Sequence, residues 1–277
     1  MSEELRVGRS TYELGHTELM KQGLAAIGEA LTYTGSLDTV LSELDTAIEQ
    51  NDHVTTMLHA PRIVRGVLDY KLSAGLSHPE VVISDALDTA LTSMSGDPGA
   101  AHEKVAAFRM LLQERGMLEA PVVQDHPDVA SFLYSQPQEI DTAVEALKTK
   151  AGEHPVLFVA LSHGGVGPGM EVFAKYAQTT TEPADRAGLP SVPYTMRYSV
   201  HKRADGDTTV LADSEIKYLQ DLAIDRTVVV FDEDVDSGQT IFEAGAYLNS
   251  VLSPESGVHL LATADPYGLL QGQEGVA

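Results

Sequence analysis

The spacing of apolar residues changes near residue 150, and this change constrains the fold more than any other feature of the sequence. Before it, apolar residues recur at the three- to four-residue spacing that predicts amphipathic helices. The predicted helices are Thr17–Leu31, Leu37–Ile48, Ile63–Ala74, Pro79–Met94, Gly99–Arg115 and Gln138–Thr149. Ser36 and Asp97 stand just before two of them, and we expect both to begin helices because their side-chain oxygens can accept from free backbone N–H groups.

Beyond residue 150, short apolar runs of strand length alternate with helical stretches. Strands are predicted at Pro155–Leu161, Val192–Val200, Thr227–Phe231 and Val258–Ala262. Helices are predicted at Met170–Gln178, Asp213–Ala223 and Thr240–Leu252. This alternation is typical of an α/β domain with a mostly parallel sheet flanked by helices. We therefore expect such a domain over residues 126–277, preceded by an all-α N-terminal region over residues 1–125.

The formal net charge of −23 limits the partners that the chain can bind. Such a surface repels nucleic-acid phosphates and no basic patch offsets it, so we expect no nucleic-acid partner. No apolar run reaches the ~18 residues of a membrane span, and Met1–Gly8 lacks the apolar core of a signal peptide. The absence of cysteine excludes disulfides and thiolate metal sites. We expect a cytoplasmic protein without a membrane partner.

The segment from Val228 to Thr240 is the part of the sequence that points to chemistry. Its first four residues are apolar and predict a strand buried on both faces, and acidic residues begin where that strand ends. In parallel sheets, ligands bind at the carboxyl ends of strands, where the next helix presents free N–H groups. Gly238 permits close backbone approach, and the hydroxyls of Ser237 and Thr240 add donors. The segment predicts a phosphate-binding loop beside carboxylates that suit ribose hydroxyls or a magnesium-bound sugar diphosphate.

This segment resembles the thirteen-residue signature of type I phosphoribosyltransferases, which runs from an apolar strand through an acidic pair to Thr/Ser-Gly-x-Thr. The resemblance implies that Asp232 and Glu233 bind the ribose hydroxyls, with Mg²⁺ as cofactor, held directly or through water. It implies that Asp236 acts as a general base toward the acceptor. The loop for the 5′-phosphate would consist of Asp236, Ser237, Gly238, Gln239 and Thr240. Asp234 departs from the family, which usually carries an apolar residue there.

Two further segments match regions that bind the sugar diphosphate in this family. Gly164 and Gly165 follow the first predicted strand of the sheet, where the family often carries a paired glycine that contacts pyrophosphate. Arg197 and Lys202 lie in a basic stretch ahead of the signature, where the family has a mobile lid that excludes water. A plain glycine-rich turn and an exposed basic loop are the alternatives.

Three more residues are weaker candidates. Tyr267 follows the last predicted strand, near the region that recognises the nucleobase in the family, and its ring can stack on a base. A turn with a partly buried tyrosine is the alternative. Arg62 and Arg65 lie one helical turn apart in the N-terminal half. The sequence favours two solvated arginines there over a site for an anion.

The resemblance implies an enzyme of nucleotide salvage or a related pathway, in the glycosyltransferase class. It would transfer ribose 5-phosphate from phosphoribosyl diphosphate (PRPP) to a nitrogen acceptor, expected to be a nucleobase, and release pyrophosphate. Its partners would be small molecules, namely PRPP and a base or nucleotide. A homodimer remains open.

The residues leave other interpretations open. The domain can bind PRPP or a nucleotide as a regulatory protein, without turnover. Asp232, Asp234, Asp236 and Glu243 also have the spacing of a calcium-binding EF-hand loop. Asp232 and Asp234 also match the paired aspartates of haloacid-dehalogenase-like phosphatases. The last alternative is an acidic strand-to-helix turn that binds nothing.

Overall fold

The computed structural model describes residues 9–152, 154–162, 164–179, 189–198, 211–254 and 257–270. Its helices are α1 (Thr11–Gln22), α2 (Leu24–Leu31), α3 (Leu37–Gln50), α4 (His53–Ala74), α5 (Pro79–Met94), α6 (Pro98–Glu114), α7 (Val129–Tyr134), α8 (Pro137–Ala151), α9 (Val166–Thr179), α10 (Asp213–Ala223) and α11 (Gln239–Leu252). Its strands are β1 (Tyr33–Ser36), β2 (Pro121–Gln124), β3 (Val156–Ser162), β4 (Val192–Arg197), β5 (Thr227–Asp234) and β6 (Val258–Ala264). Met1–Gly8, Lys202 and the end of the strand predicted at Val192–Val200 lie outside the described residues.

Four strands form a parallel sheet in the order β4-β3-β5-β6. The chain passes from β3 to β4 on one side and then crosses to β5 on the other side of β3. The strand order therefore reverses between β3 and β5. In open α/β sheets, ligands bind outside the carboxyl ends of the strands at such a reversal. The prediction of an α/β fold with a parallel sheet flanked by helices is confirmed.

The two central strands are apolar on both faces because helices cover both faces of the sheet. Phe158 of β3 and Phe231 of β5 lie in the hydrophobic layer that also contains residues of α8 and α9. Val159 and Val230 point the other way, into the layer that contains residues of α10 and α11. All seven residues of β3 are buried. This burial fixes which residues can reach the carboxyl edge of the sheet.

The N-terminal helices pack against the same layers as the sheet. One continuous hydrophobic cluster contains Leu41 of α3 and Ile63 of α4 together with Val159 and Val230 of the sheet. Helix α4 also contacts α9, the helix that follows β3. The N-terminal helices therefore lie where they can cover part of the ligand edge. A domain boundary near residue 125 stays a prediction.

The N-terminal region is not composed of helices alone. Strands β1 and β2 pair as a short antiparallel ribbon, with Tyr33 opposite Gln124 and Ser36 opposite Pro121. The prediction of an all-α region is therefore not confirmed. Four-residue strands are too short to produce a periodic pattern in the sequence, which is why pattern analysis did not find them. None of the described helices is both long and apolar enough to cross a membrane.

Candidate functional site

The structure brings the two predicted binding segments together at the reversal of strand order. Gly164 and Gly165 follow β3, and Asp232 and Glu233 lie near the carboxyl end of the neighbouring β5. A Cβ atom on Gly164 would lie 1.4 Å from Oε1 of Glu233. A Cβ atom on Gly165 would lie 2.7 Å from the carbonyl oxygen of Leu161 and 3.5 Å from Cα of Asp232. Only glycine leaves room for the acidic pair to lie against this loop.

The acidic pair is largely withdrawn from bulk solvent. Glu233 is only 7% exposed, and Asp232 is partly buried. Oδ1 of Asp232 accepts a hydrogen bond from the backbone N–H of Glu233 at 3.1 Å. Burial, followed by the neighbouring carboxyl of Glu233, raises the pKa of Asp232 well above its ordinary value, and burial also raises the pKa of Glu233. Two carboxyl groups so close together tend to share one proton unless a cation or a hydroxyl ligand joins them.

Two buried oxygens at this edge lack hydrogen-bond partners among the described residues. They are Oγ of Ser162, the last residue of β3, and Oε2 of Glu233 on the adjacent β5. A buried polar atom without a partner costs about 1–3 kcal/mol. Both atoms lie at the carboxyl ends of neighbouring strands. A ligand, an ion or water that reached this edge would supply the missing contacts.

The predicted phosphate loop has the strand-to-helix form that the sequence predicted. The N–H of Val235 donates to the carbonyl of Ala264, which anchors the start of the loop, and Asp236 and Ser237 are exposed. Gly238 has φ 73° and begins α11. The N–H of Gln239, the first residue of α11, donates to Oγ of Ser237 at 3.4 Å. Because the cap residue Gly238 has no side-chain oxygen, it leaves the N–H groups of Thr240 and Ile241 available to an anion. Gln239 donates from Nε2 to Glu243 at 2.9 Å and points away from this role.

Asp234, which departs from the family, packs against polar groups of the short helix α7. The Ser131 hydroxyl of α7 and the Asp128 carboxyl are both near enough to the Asp234 carboxyl to affect its pKa. Burial, followed by the charges of Asp128 and Asp236, raises the pKa of Asp234. An apolar residue is not needed at this position because polar groups of α7 pack against it.

The other predicted residues have different environments. Arg197 ends β4 and its Nη1 lies 2.7 Å from Oδ1 of Asp69 in α4, so its cationic group is directed toward the helical half. Lys202 lies outside the described residues. Tyr267 is 68% exposed, so the expectation of a partly buried tyrosine is wrong. Leu269, two residues further on, lies 3.3 Å from the Cβ position of Gly238, which places this turn beside the phosphate loop.

A cavity of about 100 Å³ adjoins Gly164 on the side of the helical half. Arg62 and Arg65 both line it, together with Asp128 of the segment before α7. Arg62 is only 3% exposed, so the interpretation of two solvated arginines is wrong. Helix α4 is buried on several sides, and that places its charged residues in the interior. The two apolar residues between the arginines, Ile63 and Val64, are the sequence signal for this burial.

Charged groups at this edge suit a cation that a substrate brings with it. Mg²⁺ is usually held by one or two carboxylates, several waters and substrate phosphates. The Asp232–Glu233 pair, with its partnerless oxygen, offers that donor set. Within the described ranges, no group of three or more His, Asp or Glu side chains could hold a metal ion without a ligand's help. The EF-hand alternative is wrong, because Asp232 and Asp234 lie within strand β5, whereas an EF-hand loop begins after a helix.

Neither a scan against models of known protein families nor a search of curated proteins gives a match to this chain.

Proposed function

We propose that this protein is a phosphoribosyltransferase, which transfers ribose 5-phosphate from PRPP to a nitrogen acceptor and releases pyrophosphate. One observation carries the proposal: the signature-like segment forms the strand, loop and helix entrance of a parallel sheet at the reversal of strand order. The paired glycines of the preceding strand lie against its acidic pair. This is the part of an open α/β sheet where ligands bind.

Different segments of the site bind different parts of the substrate. The carboxyl groups of Asp232 and Glu233 hold the ribose hydroxyls. The loop from Asp236 to Thr240, with the free N–H groups at the start of α11, holds the 5′-phosphate. The backbone at Gly164 and Gly165 meets the pyrophosphate, since no side chain keeps the ligand away. Magnesium, when bound with PRPP, neutralises negative charge on the leaving pyrophosphate.

In the reaction the bond between the anomeric carbon and the pyrophosphate oxygen breaks, and a bond to the acceptor nitrogen forms. The bonding electrons leave with pyrophosphate, and Asp236 takes the proton that the nitrogen loses. The chain contributes by positioning the two substrates and by placing N–H dipoles where negative charge gathers. In the family, the stretch that contains Lys202 would close over the diphosphate and exclude water, whereas Arg197 ends β4 and pairs with Asp69.

The burial of Glu233 favours a second candidate function. Glu233 is 7% exposed and its carboxyl group lies against Gly164, so the carboxyl must move before it can reach a sugar hydroxyl. A domain in which it did not move would bind PRPP or a nucleotide without turnover. That domain would be a regulatory protein of the same fold. Binding and turnover therefore have to be measured separately.

Calorimetry with PRPP and Mg²⁺, followed by assays of pyrophosphate release with a panel of nucleobases, tests both candidates. The double variant Asp232→Asn/Glu233→Gln should bind PRPP at least tenfold more weakly. The matched control Asp88→Asn/Glu145→Gln removes the same charge from side chains that are 52% and 72% exposed, and should bind normally. Unchanged affinity in the first variant would refute the assigned site. Tight binding without pyrophosphate release with any base would favour the regulatory function.

A further inference from the structure

The guanidinium of Arg65 lies at the wall of the cavity beside Gly164. Arg65 lies on α4, is partly buried, and lines the cavity together with Gly164. Within the described part of the chain, its guanidinium makes no hydrogen bond or ion pair. Burial lowers the pKa of Arg65 although Asp69, Glu233 and Asp128 are near enough to act against this effect. Two of these carboxyls have other contacts, because Asp69 pairs with Arg197 and Asp128 accepts from the backbone N–H of Ser131.

Arg62, one turn earlier on the same helix, shows what a structural arginine looks like in this protein. Each of its nitrogens donates to a protein acceptor: Nη2 to the carbonyl of Ala30 at 2.7 Å, Nη1 to Nδ1 of His59 at 2.9 Å, and Nε to Oε1 of Gln124 at 3.4 Å. Its guanidinium also lies 4.5 Å from the centre of the Tyr33 ring. Arg62 therefore supports the wall of the cavity, whereas the donors of Arg65 remain for a ligand.

The remaining walls limit what that ligand can be. Apolar side chains, among them Leu31, Met57, Leu58 and Phe132, form most of the lining. The cavity measures about 100 Å³, and a cavity of about 150 Å³ in another protein accommodates benzene. The cavity itself therefore holds one small ring at most, and its open side can accommodate the anionic group of a ligand. A planar guanidinium pairs best with a carboxylate or a similar anion that accepts two parallel hydrogen bonds.

We propose that this cavity binds a small anion built on a single ring, with the ring between the apolar walls and the anionic group on Arg65. Gly164 lines the cavity, and its Cβ position adjoins Glu233. A molecule in the cavity can therefore contact Gly164, which packs against Glu233 of the acidic pair. If the proposed function holds, this molecule is the nitrogen acceptor, which makes the acceptor a monocyclic acid. That identification rests on the proposed function, whereas the anion site does not.

Calorimetric titrations of the full chain with benzoate, benzamide, 2-naphthoate and acetate, at matched ionic strength, test this site. Benzoate supplies one ring and a carboxylate, benzamide removes the charge, 2-naphthoate adds a second ring, and acetate removes the ring. We expect benzoate to bind best, with each other probe about tenfold weaker or worse. Equal binding of benzoate and benzamide would overturn the assignment to an anion. Binding of 2-naphthoate as tight as that of benzoate would overturn the size limit, and failure of all four to bind would overturn the site.

Arg65→Gln should weaken benzoate binding about 10- to 100-fold, because it removes a charge-assisted pair, and should leave benzamide binding nearly unchanged. Arg115→Gln, an exposed arginine on the far end of α6, is the matched control and should bind benzoate normally. The thermal midpoint of Arg65→Gln should not fall, since the variant removes a partly buried cation without a partner. Arg65→Lys keeps the charge without the planar fork and should show intermediate affinity, which provides a second test if the glutamine variant folds poorly. Normal benzoate affinity in both Arg65 variants would overturn the proposal.

The same variants separate this inference from the proposed function. Asp232→Asn/Glu233→Gln should lose PRPP binding and keep benzoate binding. Arg65→Gln should lose benzoate binding and keep PRPP binding. If the chain binds benzoate through Arg65 but does not bind PRPP, the proposed function fails and the anion site stands. If the chain binds PRPP but the Arg65 variants bind benzoate as tightly as the parent, the anion site fails and the proposed function stands.

Discussion

A methyl group added to Gly164 tests the most specific geometric feature of the candidate site. In Gly164→Ala the new Cβ atom would lie 1.4 Å from Oε1 and 2.1 Å from Cδ of Glu233. Real atoms do not approach so closely, so the Glu233 carboxyl or the loop must move. Oε2 of Glu233 is already fully buried, which leaves the side chain little space to retreat. The clash therefore has a measurable cost.

The expected cost follows from overpacking in a well-packed interior, which lowers stability by about 1–3 kcal/mol. For a chain of this size, each kcal/mol shifts the thermal midpoint by about 2–4 °C. Gly167→Ala is the matched control, because Pro61 is its nearest neighbour, at 3.6 Å from the added Cβ. Gly167 lies in the first turn of α9, so alanine there should be neutral or stabilising by up to about 1 kcal/mol.

Urea unfolding of both single variants, and of Gly164→Ala in a Glu233→Ala background, gives the coupling between the two positions. Removal of the Glu233 carboxyl removes the atoms that clash, so Gly164→Ala should cost less than about 0.5 kcal/mol in that background. A full cost in the Glu233→Ala background would show that the loop, and not Glu233, resists the methyl group. An unchanged stability of Gly164→Ala alone would refute the contact between the two segments.

Two buried ionisable groups give further predictions. Burial lowers the pKa of His59 from 6.5 to about 4. As the pH falls, the unfolded chain therefore takes up a proton at His59 before the folded chain does. The free energy of unfolding should fall by up to about 3 kcal/mol between pH 6.5 and pH 4. Urea midpoints measured across this range should fall less steeply in His59→Gln, whereas His126→Gln, 95% exposed in the native protein, should behave like the parent. Glu215 is fully buried and lies 2.6 Å from Nζ of Lys71, so Glu215→Ala should cost about 3–5 kcal/mol in urea unfolding, and parent-like stability would contradict the buried pair.

The sequence predicts the central strands and the loop well because their signals are local. The apolar run of β5, the acidic residues after it and the glycine before α11 all lie within one short segment. The strand nevertheless continues past Phe231 to Asp234, because Asp234 pairs with Ala264 of β6. That pairing partner is remote in sequence, so the pattern could not show that acidic residues belong to the strand.

Several helix boundaries depend on cap residues and glycines, which the spacing of apolar residues does not reveal. Helix α4 begins at His53, ten residues before the predicted start at Ile63, and continues through Pro61. The cap residue Asp52, whose Oδ1 accepts from the N–H of Thr55 at 3.0 Å, was the available sign. Similarly, Gly23 at φ 89° separates α1 from α2 where one helix was predicted. A helix that begins at Ile63 would exclude Arg62, so the predicted start does not place both arginines on one helix beside the sheet.

The arrangement of charge around Gly164 supports a ligand on both of its sides. Arg65 lies on one side and Glu233 on the other, and they are close enough for Glu233 to favour the charged form of Arg65. A fold selected for stability alone would join them, because a partnerless charge in a protein interior is costly. In the described part of the chain they form no ion pair, and Oε2 of Glu233 makes no hydrogen bond. Their separation by a residue without a side chain leaves the guanidinium of Arg65 at the cavity wall and the carboxyl of Glu233 against the Gly164 loop. A substrate pair with an anionic ring on one side and a hydroxyl-bearing, metal-bound sugar on the other would satisfy both.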